Sequence, residues 1–301
     1  MSTFEPITLS DGTVVPGIGY GLGTANFNND TAELVELVKT AVKVGYRHLD
    51  GAEAYNNETS LGKAIAACGV PREELFVTTK SGPGLKDIPK SFEQSLEKLG
   101  LDHVDLYLIH WPYDFPKPGY PTIQEAWKHM EAIKDSGRAK SIGVSNFRVR
   151  DLEKILNMSD LKHKPTVNQI EFHPFMYKAG EELYQYLKKH DIKIAAYGPT
   201  TPLTRFANDG FSAAFEKARK GVASRGKADK VEPGQVLLRL AAQRGAIVVT
   251  TSGKEYRMKE QLAAGALSEL SREEMEELVE AAKPEPQRAF MKHMDDDKTE
   301  Y

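Results

Sequence analysis

The sequence predicts an α/β protein, a (β/α)8 TIM barrel with an N-terminal β-hairpin plug and extra helical loop segments. Three observations predict it. Short apolar, strand-like runs alternate with amphipathic stretches of helical period along most of the chain, the grammar of parallel βαβ units. Five of those runs end on a chemically useful residue: YRHLD at Asp50, FVTTK at Lys80, VDLYLIH at His110, VNQ at Gln169 and IAAY at Tyr197. In a closed barrel the active site lies at the C-terminal ends of the strands, where these side chains meet. Finally, 301 residues fit a single α/β barrel, and no internal boundary is visible, so residues 1–301 are expected to form one domain.

The elements follow in order. ITLSDGTVVP reads as a short hairpin turning at Asp11-Gly12 and plugging the bottom of the barrel. Strand one is GIGYGLGT. The first helix, TAELVELVKTAVKVG, has apolar residues at helical spacing and ends on Gly45 as a C-cap. Strands two to eight are YRHLD, EELFVTTK, DHVDLYLIH, KSIGVSN, TVNQI, IKIAAY and AIVVTT. Helical runs begin near Thr31, Thr59, Ile88, Ile123 and Glu181. A long insert from Gly198 to Glu232 separates strands seven and eight, and its FSAAFEKARKGVASRG portion predicts a helix. A large loop on the catalytic face commonly serves substrate or cofactor. The stretch from Pro284 onward reads as a docked surface tail with disordered last residues, leaving Phe290 and Met291 outside the site.

Composition narrows the function classes. A formal net charge of -3 gives no whole-molecule attraction to nucleic acid or anionic membranes. The lone Cys68 excludes an internal disulfide framework and fits a reducing compartment, and the absence of zinc-type Cys/His spacing leaves no metal site expected. The opening MSTFEPITLSDG lacks a basic segment followed by an apolar one, and no apolar run is long enough to span a bilayer. A cytoplasmic protein is the expectation, and a monomer the default, since no coiled-coil repeat is present.

Asp50, Tyr55, Lys80 and His110 carry the strongest chemistry when taken together. Tyr55 alone reads as a packed aromatic, Lys80 as a surface amine, Asp50 as a helix cap and His110 as a buried histidine satisfying backbone groups. Joint placement at strand ends changes that reading. A phenol is a poor acid at neutral pH, and each unit of pKa lowering corresponds to about 1.4 kcal/mol of differential stabilisation. An ammonium at Lys80 favours phenolate, Asp50 holds Lys80 protonated and aimed, and His110 orients a substrate carbonyl by hydrogen bonding. That is carbonyl polarisation without a metal.

The ordered motifs D-G-A-E-x-Y, T-T-K, L-I-H-W-P and G-V-S-N-F, with G-L-G-T at Gly21 to Thr24, V-N-Q-I-E-F-H-P at Val167 to Pro174 and V-V-T-T-S ending at Ser252, resemble the aldo-keto reductases over nearly the whole chain. The resemblance implies hydride transfer from a nicotinamide to an aldehyde or ketone, with Tyr55 as general acid, Lys80 and Asp50 tuning it, and His110 orienting the carbonyl. It implies Thr24 among the cofactor-binding positions, Ser145, Asn146 and Gln169 on the carboxamide, and Tyr197 stacked on the ring. No G-x-G-x-x-G/A fingerprint is filled in GIGYGLG, so a Rossmann reading is set aside. The family lays the cofactor across the strand ends, with its adenosine phosphate near TTSGKEYRMKEQL. There Ser252, Lys254 and Arg257 offer a hydroxyl and charge beside a helix start. On the family frame Ser252 and Arg257 grip a 2′-phosphate, Glu260 contacts adenine and Gln261 stands where asparagine is common. NADPH is therefore the expected cofactor.

Departures from the family pattern bear on the substrate. Thr251 replaces a lysine expected on the phosphate, with Lys254 compensating from two residues beyond Ser252. Ala25 stands where many relatives carry a substrate-facing tryptophan, which opens that wall, and Trp111 remains as an aromatic wall. After the stacking tyrosine, Gly198, Pro199 and Thr200 replace the usual S-P-L. The variant pattern looks most like a fungal branch acting on α-keto amides, ketopantoyl lactone and conjugated polyketones. The expected partner is thus a small-molecule carbonyl substrate, neither nucleic acid nor membrane. The alternative is an idle, nucleotide-binding regulatory subunit of the same fold. A lyase or isomerase using Lys80 as a Schiff base needs that amine neutral, which Asp50 opposes.

Overall fold

The computed structural model describes residues 4–112, 119–206, 208–226, 230–282 and 287–295. The chain starts with the plug: β1 (Ile7–Thr8) and β2 (Val14–Val15) pair antiparallel, in register Ile7 to Val15. Gly12 takes the positive φ of 87° that the tight turn demands.

Eight parallel strands then close on themselves: β3 (Ile18–Gly21), β4 (His48–Asp50), β5 (Phe76–Ser81), β6 (Val104–Ile109), β7 (Ala139–Ser145), β8 (Val167–Glu171), β9 (Lys193–Tyr197) and β10 (Ile247–Thr250). The seam pairs Val248 with Ile18 on one side and Ile247 with Ala195 on the other. All eight predicted strands are present at their predicted places, and α/β barrel topology is the observed fold.

The α-helices among the described residues are α1 (Ala32–Val44), α2 (Glu58–Ala67), α3 (Ile88–Leu99), α4 (Ile123–Asp135), α5 (Val149–Leu156), α6 (Pro174–Tyr177), α7 (Glu181–Lys189), α8 (Asp209–Gly226), α9 (Pro233–Gln243), α10 (Glu255–Ala263) and α11 (Arg272–Ala281). The five predicted helix starts correspond to α1, α2, α3, α4 and α7, and α1 ends on Gly45 at φ 124°, as a C-cap glycine should. The insert after β9 contains α8, which spans the predicted helix; residues 207 and 227–229 of that insert lie outside the described set. Among the described residues no helix is long and apolar enough to cross a membrane, and no group of His, Cys, Asp and Glu could hold a metal ion.

Two apolar bodies hold the molecule. The larger lies between strands and helices; the smaller, inside the barrel, joins Phe76, Leu106, Leu108, Val167, Ala195 and Ile247 to Leu9 and Val15 of the plug. Side chains alternate faces along a strand with period two. Residues 76, 78 and 80 therefore share the inner face of β5, as do 106 and 108 on β6 with His110 following, 167, 169 and 171 on β8, and 195 and 197 on β9. Most lower inner positions are apolar, packed against Leu9 and Val15 of the plug, with His48 and Thr78 among them. The upper inner positions are Lys80, His110, Gln169, Glu171 and Tyr197, which converge at the open end.

Candidate active site

Lys80 sits fully buried at the top of β5. Its ammonium donates to Asp50 Oδ1 at 2.6 Å, to the Gly51 carbonyl at 2.7 Å and to the Tyr55 hydroxyl at 3.2 Å. Burial works against the charge, but the Asp50 carboxylate and the hydrogen bonds to Asp50 and Tyr55 outweigh it and push the Lys80 pKa up. Asp50 is oriented from its other oxygen, where Gln169 Nε2 donates to Oδ2 at 2.7 Å. Tyr55 lies in a 3-10 turn at Glu53–Tyr55 directly after β4. Its ring meets the His110 ring edge-on, 5.4 Å between centroids.

Contrary to expectation, Lys80 does not make Tyr55 more acidic than an ordinary phenol. Lys80 does favour phenolate at Tyr55, yet burial is the larger influence and the Tyr55 pKa ends above its ordinary value. The phenol is therefore held protonated, the form that can give a proton. His110 is driven well below the ordinary imidazole range by burial and by Lys80, so it is neutral at pH 7. Its buried Nδ1 has no hydrogen-bond partner among the described residues.

The strand-end amides and hydroxyls form a second cluster beside the first. Ser145 Oγ donates to the Gln169 carbonyl at 2.8 Å, Asn146 Nδ2 donates to the His110 carbonyl at 2.9 Å, and Tyr197 OH donates to Asn146 Oδ1 at 2.8 Å. Asn146 holds φ at +61°, a left-handed conformation rare for a residue with a Cβ. Such strain is kept where surrounding contacts over-determine it.

The remaining expected positions fall on the same face but are less tightly gathered. Thr24 and Ala25 form an exposed 3-10 turn after β3. The Trp111 ring centroid is 4.5 Å from that of His110. A Cβ at Gly82 would lie 3.0 Å from Trp111, so that glycine leaves room for the indole. Lys254 and Arg257 are exposed at the start of α10, and the Lys254 backbone N–H donates to Ser252 Oγ at 3.1 Å. Glu260 is half-buried on the same helix. Gln261 behaves differently: its Oε1 accepts from Tyr46 OH at 2.9 Å and its Nε2 donates to the Thr251 carbonyl at 3.0 Å, so its side chain fastens α10 to β10 and β4's approach.

Two aromatic residues join the site that sequence reasoning left out. Phe27 is 52 % exposed, and its ring lies 6.2 Å from that of Tyr55. Phe290, assigned to the tail outside the site, lies 5.9 Å from the Tyr197 ring in an edge-on contact. The exposed phenylalanine shortly after Ala25 was the one sequence hint for the first. The second depends on long-range docking that no local pattern reveals, and the tail's last residues, from 296, lie outside the described set.

An eight-stranded parallel barrel whose lysine, aspartate, tyrosine and histidine meet at the C-terminal mouth is the frame of a barrel enzyme. The profile of the Aldo/keto reductase family matches residues 18–283. An NAD/NADP-dependent indole-3-acetaldehyde reductase of Schizosaccharomyces pombe is 40% identical over 289 residues, covering 95% of this chain and 98% of that protein. An NADPH-dependent alpha-keto amide reductase of Saccharomyces cerevisiae is 37% identical, covering 94% and 93%. A crystal structure of an aldo/keto reductase from Brucella melitensis superposes with a TM-score of 0.77 at 34% identity, over 92% of this chain and 99% of the other. The chain belongs to the aldo/keto reductase family; it is an oxidoreductase of the kind that works with nicotinamide cofactors.

Proposed function

We propose that the protein is an NADPH-dependent carbonyl reductase, one barrel domain in which Tyr55 is the general acid. The observation that carries this reading is Lys80 Nζ, buried between Asp50 Oδ1 at 2.6 Å and the Tyr55 hydroxyl at 3.2 Å. A bound reduced nicotinamide supplies the hydride. Everything else is asked of the chain. Neutral His110 holds the carbonyl oxygen by an imidazole N–H, and Tyr55 gives that oxygen its proton. The Lys80 ammonium stabilises the phenolate left behind, and Asp50 with Gln169 keeps Lys80 aimed.

The side chains around this group suit the cofactor. Tyr197 offers a ring face, and Gln169, whose Nε2 is committed to Asp50, retains Oε1 as an acceptor for a carboxamide N–H. Ser145 and Asn146 border the same spot. At the far end, Ser252, Lys254, Arg257 and the amides opening α10 suit the 2′-phosphate, which favours NADPH over NADH. Ala25 is small and Phe27 and Trp111 are aromatic, which suits a broad, activated dicarbonyl: a keto lactone, an α-keto amide or ester, or a conjugated dione.

The test follows NADPH absorbance with such ketones in the wild type and in Tyr55→Phe. The expected outcome is a fall in kcat of about 100- to 10,000-fold in the variant with NADPH affinity unchanged within about twofold. Near-wild-type turnover would remove Tyr55 from the acid role. Tight NADPH binding with no turnover across a carbonyl panel would favour the regulatory alternative.

A further inference from the structure

Glu171 ends β8 on the inner face, two positions beyond Gln169, and is almost completely buried. Burying a carboxylate is costly unless its oxygens are satisfied. Here Oε1 is 2.9 Å from His173 Nε2 and accepts from the Ala289 backbone N–H at 2.9 Å, while Oε2 accepts from the Phe290 N–H at 3.0 Å. One buried carboxylate thus grips two consecutive amides of the C-terminal segment. A second anchor lies one strand over, where His293 Nε2 meets the Asn146 carbonyl at 3.1 Å. The backbone turns sharply straight after the gripped amides, with Met291 at φ 47°. These contacts bring the Phe290 ring into an edge-to-face contact with Tyr197, while the Arg205 guanidinium lies 5.1 Å from the centre of the Phe290 ring.

Both anchors therefore fall beside side chains assigned above to the nicotinamide. Tyr197 itself is held by its hydroxyl, which donates to Asn146, and by its edge-to-face contact with Phe290. We propose that Glu171 is a positioning residue which, by clamping the strap around Phe290, fixes the plane of Tyr197 and so sets how tightly the nicotinamide ring is held. This rests on the reductase reading and adds to it. The strap is a built wall of the cofactor site, and without the clamp Tyr197 loses the ring contact with Phe290.

The experiment measures the NADPH dissociation constant by nucleotide fluorescence, with no substrate present, in the wild type, Glu171→Gln, Phe290→Ala and the double variant. Each single change is expected to weaken NADPH about five- to tenfold, and the double variant no more than the weaker-binding single, because both act through one contact. Phe290→Tyr, which keeps the ring, is expected to restore the wild-type value. Unchanged affinity in Phe290→Ala, or losses that multiply in the double variant, would overturn the proposal. A lower Tm in Glu171→Gln with wild-type affinity would also overturn it, since that is what a purely structural carboxylate gives. If Glu171→Gln does not fold, the Phe290→Ala and Phe290→Tyr pair decides alone. A wild type that does not bind NADPH sinks the reductase reading and the clamp with it, whereas NADPH bound equally well by all the folded variants sinks only the clamp.

Discussion

Lys80 keeps its charge with no exposure to water because three acceptors replace the solvent it lost, and the nearest is an ion-pair partner 2.6 Å away. Removing one partner from a buried pair of this kind typically costs about 3–5 kcal/mol, because the other charge is left uncompensated. The same burial has the opposite consequence one layer down. His48, on the inner face below Asp50, contacts Thr78 Oγ1 through Nε2 at 2.9 Å. A Cβ at Gly19 would lie 2.7 Å from its ring, so only glycine on β3 leaves space for the imidazole. Burial, opposed by Asp50 and reinforced by Lys80, lowers the His48 pKa from 6.5 to about 4. The sign follows directly. Between pH 6.5 and about 4 the unfolded chain binds a proton at this position that the folded chain refuses, so stability is lost as pH falls through that window. Urea unfolding at pH 7 and pH 5 is expected to lose about 2 kcal/mol from this residue alone, and His48→Asn should show a correspondingly shallower pH dependence. Identical slopes in the two proteins would show that His48 is not the group responsible.

At the scale of elements, some helix starts are written directly in the sequence. α4 opens on a capping box: Thr122 Oγ1 accepts from the Glu125 N–H at 3.2 Å, and Glu125 Oε2 accepts from the Thr122 N–H at 2.8 Å. Thr122→Ala is expected to cost about 1 kcal/mol in urea or thermal unfolding without altering NADPH affinity, since the cap is exposed and satisfies only local amides. A variant as stable as the wild type would deny the cap that role. The same logic explains what was hard to read. α5 and α9 lack a cap signal in the sequence: their caps are Arg148 and Glu232, outside the Ser, Thr, Asp and Asn set. α11 does carry a Ser271 box, but it follows the eighth strand, outside the strand–helix alternation. Strands were legible as short apolar runs between helical stretches, and five of them stop on Asp50, Lys80, His110, Gln169 and Tyr197, which alternation along the strands then gathers inside the barrel. Glu171 obeys the rule as well, but apart from nearby His173 its partners, the Ala289 and Phe290 amides, lie 118 and 119 residues away and leave no local trace.

For the whole molecule, closure is what turns scattered strand ends into one site. The first and last barrel strands pair at the seam, and Tyr20 OH on β3 donates to the Ser252 carbonyl after β10 at 2.9 Å. The residues assigned to the cofactor thus run from the turn after β3, through the ends of β7, β8 and β9, to the start of α10 beyond β10. A ligand that touches so many strands binds the closed barrel and has no equivalent site on the unfolded chain, so binding raises stability by mass action. At a free NADPH concentration of about 100 times its dissociation constant the gain is about 2.7 kcal/mol. For a chain of 301 residues that corresponds to a Tm increase of about 4 °C. NADH at the same concentration is expected to give a smaller shift, because it lacks the phosphate that Ser252, Lys254 and Arg257 can hold. Thr251 has no charge to offer there, which leaves Lys254 as the nearer ammonium beside Ser252. Lys254→Ala should therefore reduce the NADPH shift toward the NADH one while leaving the NADH shift as it was, a pattern that separates phosphate recognition from general damage to α10. Equal NADPH and NADH shifts in the wild type would remove the 2′-phosphate preference. An unchanged gap in Lys254→Ala would move that preference to Arg257 and Ser252.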